Sequence, residues 1–436
     1  MAAAPPETRP TGPSRAGRTL RSGDAAWVAG LTLLALVIRV IWVLAIDRPN
    51  PAFGDESYYL IVGQALADGE GYTFFGEPTV LWPPVYPSLL AGVFLVFGVE
   101  PVAAQLVNAV LGALVVPLAY VTARSAFGRP AAIVAGALVA VMAGTVFFTE
   151  MLMSETVYTL LVAGVVALVA TQRPTWKAAV ALGVVIALAA LTRGEGFFLP
   201  LIPIVAWWPQ LTKRELALRV AALAAAAAIV VIPWMVRNAS VSGSAGSLAA
   251  QGGQTLWDGH NPTATGAAGF PPKELLQRSE KPGQTLAERE VARSKLLRDE
   301  AISWAVSHPL QELTLIPRKL LYANRSDGYT LQRWINNPRV LSQATVDKLA
   351  VWADVTWYGT FALALASLLL LARALWRVHV MRGVLAMLSL AVVLYGVVYY
   401  GNNRYRVPLE PLVVLVAAPL VGRVWTHRAA LRADTA

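Results

Sequence analysis

The sequence predicts an all-α protein that crosses a membrane many times, and three observations carry that prediction. Hydrophobic residues fill 56% of its 436 positions and charged residues only 14%, where a soluble chain carries roughly 25% charged residues. So few charges cannot cover a surface that faces water. Ten apolar runs recur at about 26–46, 103–123, 131–148, 156–171, 178–192, 197–208, 216–236, 352–372, 383–400 and 407–422. A helix of about 20 apolar residues crosses a hydrocarbon core of roughly 30 Å. Between the runs, Lys and Arg gather in alternate loops, as cytoplasmic loops require. Cysteine is absent, and the four histidines His260, His308, His379 and His427 do not pair at ligand spacing. Disulfides, thiol nucleophiles and a His-rich zinc site are thereby excluded. The net charge of +10 lies mainly in loops between spans, so nucleic acid is not an expected partner, and no Gly-rich phosphate loop follows a strand, which excludes a Rossmann or Walker nucleotide module.

Taken in order, residues 1–25 are polar, rich in Pro and Arg and without a signal-peptide cleavage pattern, and they read as a disordered cytoplasmic tail. Residues 26–237 hold an N-terminal transmembrane core with an outer loop at 47–101. Within that loop the 13 apolar residues 85–97 read as an interfacial helix, being too short to span. If they did span, Arg124, Arg129, Arg173, Lys177, Lys213, Arg214 and Arg219 would all fall on the outer side. Residues 238–351 form a second, extracytoplasmic loop between the seventh and eighth spans. Its part 241–272 is rich in Gly, Ala, Ser and Thr and reads as irregular. An amphipathic helix follows over 285–306, stopped by His308 and Pro309, then an amphipathic stretch over 310–322 broken by Pro317. Residues 352–422 hold the last spans and 423–436 a cytoplasmic tail, which places both termini inside.

The informative polar residues collect on the outer side. Asp55 and Glu56 open a short helix, with Tyr58, Ile61, Val62, Ala65 and Leu66 on one face and Asp68-Gly69 at its end. Adjacent carboxylates in so apolar a chain are costly without a role; the plain alternative is a helix N-cap. Glu150 and Glu155 flank the turn between the third and fourth spans, where Ser154-Glu155 also suits a cap. Arg193 lies between two unusually short apolar segments. A buried arginine needs an anion, either a phosphate or an internal partner such as Glu195 or Glu155. Trp234, Arg237 and Asn238 end the seventh span, and Arg404 and Arg406 oppose the positive-inside trend. Outer arginines beside an acidic loop suit phosphate binding, and equally suit helix anchoring.

Several short motifs, in order and on one membrane face, carry a family resemblance. They are Gly54-Asp55-Glu56-Ser57-Tyr58-Tyr59, Trp82-Pro83-Pro84-Val85-Tyr86-Pro87, Ser154-Glu155, Leu191-Thr192-Arg193, Pro233-Trp234 with Arg237-Asn238, and Asn403-Arg404-Tyr405-Arg406-Val407-Pro408. From about residue 26 to 422 the chain resembles the GT-C class of membrane glycosyltransferases. More narrowly it resembles the bacterial protein-mannosyltransferase and lipid A aminoarabinose-transferase group, the family 39-like enzymes.

The resemblance implies a bundle of about ten transmembrane helices with juxtamembrane helices on the outer face and a long outer loop between helices 7 and 8. It implies transfer of a sugar from a polyprenyl-phosphate donor to a glycan, lipid or protein hydroxyl at the outer face of a bacterial plasma membrane. Asp55 matches the catalytic base, Glu155 the second acidic residue and Arg193 a basic residue near the donor phosphate; the match at 155 is Glu where the family has Asp. Glu56 joins the catalytic set by its position beside Asp55. Arg237, Arg404 and Arg406 complete the candidate phosphate site, and Glu150, Tyr58 and Asn238 the residues that orient the acceptor or substrate.

The chemistry is self-consistent. A lipid phosphate leaves as a stabilised anion, so one carboxylate that accepts the acceptor proton is enough, with inversion as the outcome. No cofactor is required, no metal ligand set is assigned, and a divalent cation on clustered carboxylates stays open. The competing class is a lipid-linked saccharide flippase or solute transporter, which would hold its charges near the midplane on broken helices.

Overall fold

The computed structural model describes residues 22–46, 54–335 and 340–434. The expected tail up to residue 21 and the outer-loop residues 47–53 lie outside that range. The helices run α1 Ser22–Ala45, α2 Asp55–Ala67, α3 Val85–Phe97, α4 Pro101–Ala113, α5 Val115–Phe127, α6 Arg129–Val141, α7 Ala143–Glu150, α8 Glu155–Thr171, α9 Trp176–Ala190 and α10 Leu201–Trp207. They continue with α11 Lys213–Ser242, α12 Gly252–Gly259, α13 Lys273–Gln277, α14 Leu286–Ser307, α15 Pro309–Ala323, α16 Gly328–Thr330, α17 Gln343–Arg377, α18 His379–Val393, α19 Asn403–Arg406 and α20 Glu410–Asp434. Among the described residues the only sheet is a hairpin of two two-residue strands, β1 Thr73–Phe74 and β2 Glu77–Pro78.

Each of the ten apolar runs is helical. Six helices are long and apolar enough to cross a membrane: Gly23–Ala45, Pro101–Phe127, Lys213–Ser242, Gln343–Arg377, His379–Val398 and Asn403–His427. Arg129–Val141 and Ala143–Glu150 make a seventh span bent by 41°. The other three runs fall in the shorter apolar helices Glu155–Thr171, Trp176–Ala190 and Gly194–Trp207. Of these, α8 is buried on nearly all sides, as an all-round apolar helix must be in a bundle centre. α3 is one short helix over the 13 residues expected, packed on α2.

Small residues set the closest helix crossings, as they do where lipid supplies no hydrophobic drive between helices. A Cβ on Gly183 would stand 2.3 Å from the carbonyl oxygen of Leu223, so α9 and α11 approach only because that carbon is missing. Gly383 lets α18 meet α10 at Ile202 in the same way.

The bend between α6 and α7 has an identifiable partner. Met142 is extended, which breaks the helical ladder. Arg39 of α1, fully buried, donates to the carbonyl of Ala140 at 3.1 Å and to Thr145 Oγ1 at 3.0 Å. It thus satisfies a break that lipid cannot hydrate. Arg39→Met is expected to lower stability by about 1–3 kcal/mol, read as the thermal midpoint in detergent. An unchanged midpoint would mean that the break needs no donor.

The two loop regions pack on each other through Thr79, Val80 and Glu290. The second shows two departures from expectation. Residues 252–259 within the stretch read as irregular form α12, held by backbone bonds from Ala250 to Val80 O and Gln251 to Leu81 O (2.8 and 3.2 Å). Pro317 does not break the amphipathic stretch, because α15 runs through it. One missing amide bends a helix more readily than it ends it when the flanking turns are packed. α14 appears where expected, capped by Thr285 and Glu288 in a reciprocal capping box and followed by His308 and Pro309.

Candidate active site

Five charged side chains from four parts of the chain form one alternating row. Arg404 of α19 donates through Nη1 to Asp55 Oδ2 and through Nε to Glu155 Oε1. Arg193, between α9 and a short 3-10 turn at Gly194–Phe198, donates through Nη1 to the same Glu155 Oε1 at 2.7 Å. Its Nη2 reaches Glu195 Oε1 at 3.2 Å. The order is therefore Asp55, Arg404, Glu155, Arg193, Glu195, with three carboxylates against two guanidiniums. Glu155 at the centre is completely buried, while the Asp55 side chain keeps 26% of its surface open.

Local structure explains each position. Gly54, with φ +80°, and not Asp55, occupies the N-cap position of α2, and Asp55 is the first helical residue. The cap explanation for Asp55 therefore fails, and its carboxylate is free to face Arg404. Ser154 likewise stands at the N-cap of α8 without making a cap bond. Its hydroxyl instead lies 3.4 Å from both Tyr59 OH and Arg193 Nη1. Arg193 lies beside the rings of Tyr158 and Tyr405, with centroids 6.0 and 5.8 Å away. Asn402 caps α19 by accepting from the amide of Arg404, which aims that side chain back at α2 and α8.

The other expected residues lie elsewhere. Glu56 points into the core, where its Oε1 accepts from the amide of Leu152 at 2.9 Å. Glu150 is buried against Gln105, whose amide donates to the Glu150 carbonyl at 2.8 Å. Arg237 clamps the hairpin, donating to the carbonyls of Thr79 and Tyr72 at 2.5 and 2.8 Å, with its guanidinium over the rings of Tyr72 and Trp234. Asn238 holds the carbonyl of Ser247 at 2.8 Å. Arg406 belongs to a separate buried group, paired with Asp327 and with Glu410 at 3.2 Å, and 3.7 Å above the Trp357 ring. Four arginines were expected to share one site; the structure joins only Arg193 and Arg404. Among the described residues no three His, Asp or Glu side chains gather as ligands for a metal.

A cavity of about 440 Å³ has Asp55 in its lining and no residue of α8. Asp55, Ser57 and Tyr58 form one wall, with Phe74 and Trp82 beside them; α12 and α14 contribute Gln254, Glu290 and Arg293. Glu290 anchors α14 to the first loop, accepting from Thr79 Oγ1 at 2.7 Å and from the amide of Val80 at 2.7 Å. Burial still raises its carboxyl above the usual range. Nothing in the sequence pointed to these residues except spacing, since Leu286, Glu290, Arg293 and Leu297 recur on one helical face.

Asp258 of α12 is the second perturbed acid of this loop region. Burial pushes it up to about 7, against a backbone hydrogen bond from Gly269 and the charge of Arg293. An unfolded Asp ionises near 3.9. Between about pH 4 and 7 the folded state keeps a proton that the unfolded state has lost, so stability falls as pH rises through that window. Asp258→Asn is expected to flatten this decline when thermal midpoints at pH 4.5 and 7.5 are compared. Parallel declines in both proteins would assign the slope to other groups.

The fold is that of the GT-C class of membrane glycosyltransferases. Within that class, residues 82–236 match the family model of dolichyl-phosphate-mannose-protein mannosyltransferase. The archaeal oligosaccharyltransferase AglB from Archaeoglobus fulgidus, solved with an inhibitory peptide and a dolichol-phosphate, aligns at TM-score 0.54 and 13% identity over 95% of this chain and 52% of that one. This chain thus spans about half the length of that enzyme. ArnT from Cupriavidus metallidurans, bound to undecaprenyl phosphate, aligns at TM-score 0.46 and 18% identity over 94% of this chain and 79% of that one. The S. cerevisiae protein O-mannosyltransferase Pmt1–Pmt2 complex, bound to the sugar donor, aligns at 0.41 and 18% over 51% and 35%. No curated protein sequence matches the chain.

Proposed function

We propose that the protein is a membrane glycosyltransferase that moves a sugar from a polyprenyl-phosphate donor to an acceptor hydroxyl at the extracytoplasmic face, with inversion at the anomeric carbon. The observation that carries this reading is the shared guanidinium of Arg404, which touches the exposed carboxylate Asp55 and the buried carboxylate Glu155.

The shared arginine couples the two halves of the reaction. The acceptor oxygen attacks the anomeric carbon, and its proton passes to Asp55. The bond from that carbon to the phosphate oxygen breaks, and the electron pair leaves with polyprenyl phosphate. Protonation neutralises Asp55 and weakens its hold on Arg404. At that moment the departing phosphate gains a negative charge and needs a donor. One negative charge thus moves from Asp55 to the phosphate, with Arg404 following it and Arg193 supporting the phosphate from the other side of Glu155. Glu155 stays ionised between the two arginines and orients both. The class of donor follows the family match over residues 82–236.

The test uses purified protein in lipid vesicles, a panel of polyprenyl-phosphate sugars and a cell-envelope extract as acceptor source. Release of free polyprenyl phosphate from one donor is the expected result. Movement of the intact lipid-linked sugar across the vesicle bilayer, with no release, would replace this reading by the transporter class.

A further inference from the structure

We propose that the cavity between α2 and α14 is the acceptor site, and that the acceptor it takes is a saccharide held by Arg293, Gln254 and an aromatic wall. This rests on the glycosyltransferase reading above and extends it to a substrate class.

Position comes first. Asp55 lines this cavity, whereas Glu155, Arg193 and Arg404 do not. A displacement at the anomeric carbon needs the attacking oxygen and the leaving phosphate on opposite faces of the sugar ring. Asp55 thus touches both Arg404 and the cavity, so an acceptor hydroxyl held in the cavity can reach the base while the phosphate keeps to the arginines. At about 440 Å³ it falls in the usual range for small-ligand sites, roughly 300–1,000 Å³.

The lining has the chemistry of carbohydrate recognition. Phe74, backed by the buried Tyr58 on which it stacks with centroids 4.8 Å apart, lines the cavity together with Trp82. Aromatic faces suit the C–H faces of a pyranose. Arg293 and Gln254 also line it, and Arg293 Nη2 donates to Gln254 Oε1 at 3.3 Å. A planar guanidinium beside a planar amide offers paired donors and an acceptor, the spacing that adjacent sugar hydroxyls match. An extended peptide would instead seek a strand edge to pair with, and the hairpin here has only two residues per strand.

The tip of the hairpin supplies an independent observation. Phe75 has φ +51° and Gly76 φ +81°, the geometry of a two-residue turn that normally prefers Asn-Gly. An aromatic residue at positive φ is uncommon and strained. Phe75 is nevertheless 78% exposed, with its ring 4.6 Å from that of the cavity-lining Phe74. The turn residue that propensity would choose has been given up for an exposed ring beside the cavity, which extends the aromatic wall outward.

The test compares wild type, Arg293→Ala and Phe75→Asn in lipid nanodiscs. The acceptor probes are di- and trisaccharide methyl glycosides and a Ser/Thr-rich peptide, and donor affinity is measured separately on each protein. Both substitutions lie at exposed positions, and Phe75→Asn suits the turn, so both proteins are expected to fold with unchanged or higher thermal midpoints. A glycoside is expected to accept sugar, with acceptor KM raised on the order of tenfold in both variants and with donor Kd unchanged. Transfer to the peptide alone would overturn the saccharide assignment. A shift in donor Kd with acceptor KM unchanged would make the cavity a donor site. Both outcomes leave Asp55-dependent release of polyprenyl phosphate in place, whereas failure of the glycosyltransferase reading removes that release from every protein and every probe.

Discussion

Asp55→Asn is expected to slow release of polyprenyl phosphate by about 10²–10⁴-fold, the usual contribution of a general base. The substitution keeps the shape of the side chain and removes its capacity to take a proton. Its structural effect is small by comparison. The Asp55 side chain is partly open, with 26% of its surface exposed, and Arg404 keeps Glu155 as a charged partner when Asp55 is neutral. A folded, donor-binding but inactive protein is therefore the expected result, checked by turnover and donor affinity on the same sample. Turnover within a factor of a few of wild type would move the base elsewhere. Glu155 would not inherit the role easily, because it is fully buried between two arginines. Its removal would instead leave those arginines without a common anion, a loss on the order of 3–5 kcal/mol when a buried pair is broken.

The second large effect separates two arginines that look alike in sequence. Arg404→Ala is expected to lower kcat/KM by about 10²–10³-fold, as loss of a donor to a developing anion does. Arg404→Lys should restore only part of this, since one ammonium cannot reach Asp55 and Glu155 as the guanidinium fork does. Arg237→Ala should act differently. Its guanidinium holds two carbonyls of the first-loop hairpin, so its loss should lower the thermal midpoint and raise acceptor KM while donor affinity stays the same. The measurement is donor Kd for both variants. Equal loss of donor affinity would place Arg237 at the phosphate after all and undo the distinction drawn from its contacts.

Much of the architecture was legible because it depends on short-range chemistry. The apolar runs are helices since a chain in lipid must satisfy every backbone group within itself. The start of α2 at Asp55 and its end at Asp68, the 13-residue α3, and the helix α14 with its stop at His308 and Pro309 all follow from residues within a few positions of one another. The sequence offered Glu195 or Glu155 as internal partners of Arg193, the alternative to a phosphate, and both carboxylates pair with it. Pro317 shows the boundary of such reading: whether a proline ends a helix depends on what packs around it, and here α15 continues.

The sequence by itself determined that this is a polytopic helical bundle with its candidate acids and arginines near helix ends, because hydropathy, charge and capping are properties of neighbouring residues. Only the tertiary structure decided which of those groups meet. Asp55 and Arg404 are 349 residues apart in the chain, and Arg193, Arg237, Arg404 and Arg406 carry the same charge in similar settings. What assigns two of them to one row of carboxylates, one to a hairpin and one to a buried pair with Asp327 is the direction in which each helix end presents its side chain. The cavity wall on α14 is decided in the same way, since Glu290 and Arg293 acquire their positions only when a loop more than 200 residues distant folds against the first. Helix packing fixes those directions, and the information for it is spread over every contact in the bundle.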